Sequence, residues 1–197
     1  MKICLISQYV ESIFKSPKGF EINDIDSHLM ACNLLSEFSK INNVKIDIAM
    51  RSEISSKEYQ SELNFYKEIF GKNSVSYSKR VRFKMTSYQI AMDSDLIIAF
   101  HSSLLVEVMG VGKKVLFYGN IDKALRDFLG YKDFFDLLAR EIILDSWSHD
   151  EFDKKIKSLL NMESKDYDQK IKGAKSLFMN FGEEFPHELI YKAIEKR

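Results

Sequence analysis

Short apolar runs, each followed by a stretch with helical periodicity, constrain this chain of 197 residues more than any other feature. The clearest is Asp95-Leu96-Ile97-Ile98-Ala99-Phe100, apolar after its first residue, as a strand buried on both faces of a sheet requires. Lys2 to Ser7 is a second such run, Lys114 to Tyr118 a third, and Val44 to Met50 alternates before turning apolar. Ser74 to Ser78 and Glu141 to Leu144 read as shorter strands.

Between these runs lie helical patterns. From Asp26 to Lys40 the residues Leu29, Met30, Leu34, Leu35 and Phe38 recur at helical spacing, with Asp24 or Asp26 as N-cap and Asn42-Asn43 as the stop. Ser55 to Phe70 is a second helix, closed by Gly71. Further helices are expected over Thr86 to Met92, Leu104 to Met109, Lys123 to Phe128, Asp150 to Leu160, Lys165 to Phe181 and from Pro186 onward. The polar segment 8 to 24, with Ser16-Pro17-Lys18-Gly19, reads as a surface loop.

Strands alternating with helices imply an α/β fold: a doubly wound, mostly parallel, Rossmann-like sheet with right-handed crossovers. Only eight glycines and two prolines argue against a many-turned sandwich. The length suits a single domain over 1–197, with about 145–197 as a helical extension packed on it.

Formal charge balances at 29 basic and 29 acidic residues, so no global field draws the chain to nucleic acid, and any anion site must be local. Cys4 and Cys32 lack metal-type spacing and read as buried thiols of a reducing compartment. No apolar stretch reaches the ~18 residues of a membrane span, and Met1 to Ile6 is too short for a signal peptide, so the expectation is a soluble, cytoplasmic protein without an integral membrane segment.

Ligands of open parallel sheets bind beyond the carboxyl ends of the strands. That rule selects Ser7 to Tyr9, Arg51-Ser52, the basic stretch Ser78 to Lys84, His101-Ser102-Ser103 and Tyr118 to Asn120. Ser102 and Ser103 stand at a strand-to-helix junction, where free N–H groups and the helix dipole favour a phosphate; the alternative is a plain N-cap. Glu107, four residues past Ser103, is placed either to accept hydrogen bonds from ribose or to serve as a solvated helix glutamate. His101 fits a base, a phosphate ligand or a structural donor.

The cations from Lys79 to Lys84 suit a pyrophosphate, an acidic acceptor or a solvated edge, and the aromatic run Phe128 to Phe135 suits the core. Asp24, Asp26 and His28 form the one compact acid–histidine group in the sequence, without a second cluster to complete a metal site. There is no phosphate loop of the Walker type, no Gly-x-Gly-x-x-Gly after a strand and no Gly-x-Ser-x-Gly elbow, which removes the main support for ATPase, dehydrogenase and α/β-hydrolase readings.

The stretch from Ser94 to Val115, with Asp95-Leu96-Ile97-Ile98, Ser102-Ser103, Glu107, Gly110 and Gly112-Lys113-Lys114-Val115, resembles the donor-binding, C-terminal domain of GT-B glycosyltransferases. The nearest subset is bacterial surface-polysaccharide transferases of the sialyl-, polysialyl- and Kdo-transferase kind and glycerophosphotransferases. The resemblance is specific over about 93–118 and topological elsewhere. It implies that Ser102 and Ser103 contact the donor phosphate and that Glu107 approaches the ribose; Arg51 or His101 is the expected aid to the leaving group.

It further implies a nucleotide sugar as substrate, with no cofactor and no metal, and leaves CMP, UDP and GDP donors open. Many such families carry His-Pro after an earlier strand, where this chain has Met50-Arg51-Ser52-Glu53. Arg51 can hold a diphosphate with its planar fork but cannot act as a general base. No acceptor domain precedes Lys2. The expectations are therefore a glycosyltransferase donor domain for surface-polysaccharide synthesis, or a non-catalytic nucleotide-binding or assembly module working with an acceptor-domain partner chain or as a homo-oligomer.

Overall fold

The computed structural model describes residues 1–10, 22–71, 75–81, 84–100, 102–118, 137–144 and 146–178. His101, Gly119-Asn120, the helix expected over 123–128, the aromatic run, the helix from Pro186 and most of the loop expected over 8–24 lie outside the described residues.

Six strands form one parallel sheet: β1 (Lys2–Ile6), β2 (Lys45–Ala49), β3 (Val75–Tyr77), β4 (Leu96–Ala99), β5 (Val115–Tyr118) and β6 (Ile143–Leu144). Their order is β3-β2-β1-β4-β5-β6, the doubly wound order expected from the alternating runs. Helices α1 (Ile22–Asn42), α2 (Glu58–Phe70), α3 (Thr86–Met92), α4 (Ser103–Gly110), α5 (His149–Asn161) and α6 (Ser164–Phe178) connect and cover the strands.

The central strands are buried because helices cover both faces: Ile3, Cys4, Leu5, Leu96, Ile97, Val115 and Leu116 have no exposed surface. The polar alternation of β2 is also accounted for. Asp47 is buried, and Lys2 Nζ at 2.9 Å and Lys45 Nζ at 3.5 Å neutralise it. The hydrogen bond to Asp47 raises the Lys2 pKa above its ordinary value. Cys4 and Cys32 are buried free thiols, and burial pushes Cys4 up to about 12.

Helix α1 begins at Ile22, earlier than the apolar spacing predicts, so neither Asp24 nor Asp26 is its N-cap. Both lie inside its first turns, where the dipole favours carboxylates just as a cap does. The stop is at the expected place, with Asn43 at φ 52°. The last strand is shorter than expected: Arg140–Ile142 form a 3₁₀ turn, and only Ile143–Leu144 pair with β5. Lys155 Nζ holds the carbonyls of Arg140 and Ile143 there.

Helices α5 and α6 are fastened to the β5 side of the sheet. Lys114 Nζ donates to the carbonyls of Leu160 at 3.0 Å and Met162 at 2.6 Å, closing the end of α5. The Val115 N–H donates to the Tyr167 hydroxyl at 3.1 Å, and Phe152 of α5 meets Phe38 of α1 edge to face.

Candidate functional site

The strand order reverses direction between β1 and β4, the switch point beyond whose carboxyl ends such sheets bind ligands. The β1–β4 register pairs Leu5 with Ile98, which brings Ser7 level with Phe100 two residues on. On the β4 side, Ser102 is the N-cap of α4 with extended backbone, φ −155° and ψ 133°. Its hydroxyl makes no cap hydrogen bond; the Val106 N–H takes the Ser102 carbonyl instead, at 3.2 Å. Ser102 therefore supplies the backbone of a cap without the side-chain bond expected of a plain cap. Ser103 and Glu107 are exposed on the same face of this helix, one turn apart.

On the β1 side the structure gathers a buried polar chain. Glu62 of α2 has no exposed surface, yet its carboxylate accepts three hydrogen bonds. The Ser7 hydroxyl reaches Oε1 at 2.5 Å, the Arg51 N–H reaches Oε1 at 2.8 Å, and the Ser52 N–H reaches Oε2 at 2.8 Å. These bonds offset the cost of burying the charge. The carboxylate thereby joins the turn after β1 to the turn after β2.

The chain continues through Ser7, whose oxygen accepts the Tyr66 hydroxyl at 2.8 Å and the Tyr9 N–H at 3.2 Å. Tyr66 lies 2.9 Å from His28 Nε2, and His28 Nδ1 meets the Tyr118 hydroxyl at the end of β5. Because Tyr66 gives its proton to Ser7, it accepts from Nε2–H, which leaves Nδ1 to accept from Tyr118. Every proton then points the same way, from Tyr118 to Glu62. The Tyr118 hydroxyl is also hydrogen-bonded to the backbone of Phe100, the residue after β4.

Burial dominates the electrostatics of this chain. It lowers His28 to about 3, so the ring is neutral, and it holds Tyr66 and Tyr118 well above the ordinary tyrosine range. Each member has its partners, as a buried network must.

Two sequence expectations change. Ser7 does stand at the switch point, but its proton and both lone pairs are spent on Glu62, Tyr66 and Tyr9, which makes it a support of the site wall and leaves no bond for a phosphate. His28 turns into the core between Tyr66 and Tyr118 while Asp26 is exposed, so these two do not form the acid–histidine group, and the Asp24 side chain lies outside the described residues. Among the described residues no group of His, Cys, Asp and Glu is arranged to hold a metal ion.

Arg51 is exposed directly above Glu62, and its Nη1 donates to the Tyr9 carbonyl at 3.4 Å, across the end of β1. Arg80 Nη1 in turn donates to the Arg51 carbonyl at 2.5 Å. Sequence reasoning missed Glu62 and Tyr66; it named Tyr118 only as a strand-end candidate and His28 only beside Asp24 and Asp26. The one signal for the missed pair is spacing: Glu62, Tyr66 and Phe70 recur every fourth residue on the buried face of α2, where a glutamate needs a reason to be.

The fold is that of a Rossmann-like domain of the kind that makes up half of a GT-B glycosyltransferase. Residues 2–185 match the family described as "putative O-antigen biosynthesis protein", and the chain belongs to that family.

Three solved structures are similar. One, a UDP-forming α,α-trehalose-phosphate synthase from Burkholderia xenovorans, is 9% identical with a TM-score of 0.52, over 89% of this chain and 40% of its own. The catalytic domain of a cholesterol-α-glucosyltransferase from Helicobacter pylori is 13% identical with a TM-score of 0.49, over 89% and 96%. A "putative UDP-N-acetylglucosamine 2-epimerase" from Listeria monocytogenes is 14% identical with a TM-score of 0.49, over 84% and 38%. This chain thus spans about two fifths of the length of the first and third of these. No curated protein matches. Among the described residues no helix is long and apolar enough to cross a membrane.

Proposed function

We propose that this chain binds a nucleotide-activated sugar beyond the carboxyl ends of β1 and β4 and serves glycosyl transfer in the synthesis of an O-antigen-type polysaccharide. The observation that carries this reading is the start of α4, where Ser102 and Ser103 keep their hydroxyls free of cap bonds at the switch point of the sheet. A phosphate there would take the first N–H groups of the helix together with both hydroxyls. Glu107, one turn further on, would take the ribose hydroxyls.

Arg51 follows the end of β2, and its fork would neutralise the charge that develops on the departing nucleotide phosphate. Glu62 supports that role by fixing the main chain of Arg51 and Ser52. His101, which the chemistry of imidazole suits to a base, a phosphate ligand or a structural donor, directly precedes Ser102 in the sequence. Catalysis of this kind depends on holding the sugar in position and stabilising the leaving group, which these residues suit without a metal.

Calorimetric titration of the chain with CMP, UDP, GDP and their sugars tests the proposal. Binding of one nucleotide class, lost in the Ser102→Ala/Ser103→Ala double variant, is the expected result. A folded chain that binds none of them would favour the module that acts only with a partner chain.

A further inference from the structure

The loop beyond β3 carries a run of cations that the donor site does not use, beside Arg51 beyond β2, which the donor reading does use. Arg51 follows β2, and Lys79, Arg80 and Lys84 follow β3. The two loops are tied together: Arg80 donates to the Arg51 carbonyl, and the Ile54 N–H donates to the Arg80 carbonyl at 2.9 Å. A tight turn then brings the Lys84 N–H to the Val81 carbonyl at 3.1 Å.

Aliphatic side chains stand exposed among these cations: Ile54 at 45%, Val81 at 39% and Met85 at 67%. Among the described residues none of the four cations is paired with a carboxylate. In the sequence, 51–58 and 78–85 together hold six cations, Arg51, Lys57, Lys79, Arg80, Arg82 and Lys84, against two acids, Glu53 and Glu58, in a chain whose total charge is zero.

A merely solvated edge would not place Ile54, Val81 and Met85 in water beside one another. Aliphatic tips ringed by lysine and arginine instead match the boundary of an anionic bilayer, where the tips enter between headgroups and the long basic side chains reach lipid phosphates.

We propose that this edge of the sheet is a peripheral docking surface for an anionic lipid bilayer. The switch point lies on the same carboxyl edge, so docking would hold it close to the lipid surface. The proposal stands on the loop residues alone and does not depend on the donor reading.

Co-sedimentation of the full chain with vesicles of phosphatidylcholine, with and without phosphatidylglycerol, tests it. Binding at least about tenfold stronger to the anionic vesicles, and weakened by high salt, is expected. Lys79→Glu/Lys84→Glu should lower that binding about tenfold, and Ile54→Ser/Met85→Ser should lower it several-fold, with melting temperatures unchanged because all four side chains are exposed. Lys154→Glu/Lys157→Glu on α5 should have no effect, and neither should the Ser102/Ser103 double variant. Equal binding to both vesicles, no binding by the folded chain, or binding unmoved by the aliphatic pair would overturn the proposal; in the last case the edge is a plain anion exchanger, which soluble polyphosphate would reveal by competing fully.

Discussion

The carboxylate of Glu62 and the hydroxyl of Ser7, both buried and 2.5 Å apart, tie the middle of helix α2 to the end of the first strand. The same carboxylate holds the Arg51 and Ser52 N–H groups, so one side chain shapes both turns beside the switch point on the β1 side. Glu62→Ala would leave a hydroxyl and two N–H groups without a partner in a dry interior. A loss of about 2–4 kcal/mol of unfolding free energy is expected in urea titrations. Glu58→Ala, exposed on the same helix, should change it by less than about 0.5 kcal/mol.

His28 makes stability depend on pH. The folded ring takes up a proton only near pH 3, whereas the unfolded ring does so near 6.5. Between those values the unfolded chain binds more protons, so stability is complete above about 6.5 and falls as pH falls towards 3. From His28 alone the slope approaches about 1.4 kcal/mol per pH unit. Chemical denaturation at pH 7.0, 6.0 and 5.0, as approximate settings within that window, should show the fall, and His28→Gln should flatten it. An unchanged slope in that variant would show that the ring titrates elsewhere.

Tyr118→Phe removes the donor to His28 Nδ1 while keeping the ring that packs against Phe100 and Trp147. A cost of about 1–2 kcal/mol is expected by thermal or urea unfolding. Because Tyr118 and His28 belong to one chain of hydrogen bonds, the double variant Tyr118→Phe/His28→Leu should cost less than the two single costs combined.

Arg51→Lys keeps the charge at the end of β2 but loses the planar fork. If Arg51 faces a diphosphate, affinity for a nucleoside diphosphate should fall about three- to tenfold in calorimetry, and affinity for the monophosphate should fall less. Equal losses for both would place Arg51 on another part of the ligand.

Much of the fold was legible because buried parallel strands leave short apolar runs: Leu96–Ala99 and Val115–Tyr118 lie within the predicted runs, and α3 matches residue for residue. Helix ends were less legible, since Asp24 and Asp26 satisfy the rule for a cap and the rule for a first turn equally well. The positions of Ser102, Ser103 and Arg51 followed from the carboxyl-end rule. The supporting chain did not. Glu62, Tyr66, His28 and Tyr118 come from α2, α1 and β5, up to 90 residues apart, and only tertiary packing brings their polar atoms together. For Ser7 the same packing converts an expected ligand into a support, a change that no local spacing encodes.

Mapping backbone amide shifts in an NMR titration with the nucleotide that calorimetry selects would test the donor site most directly. The expected shifts centre on Ser103, Leu104 and Leu105 at the start of α4 and on Arg51 and Ser52, all flanking the β1–β4 switch point. Shifts confined to other surfaces, such as the cleft lined by Arg140, Ser148, Glu151 and Lys155 beside α5, would contradict it.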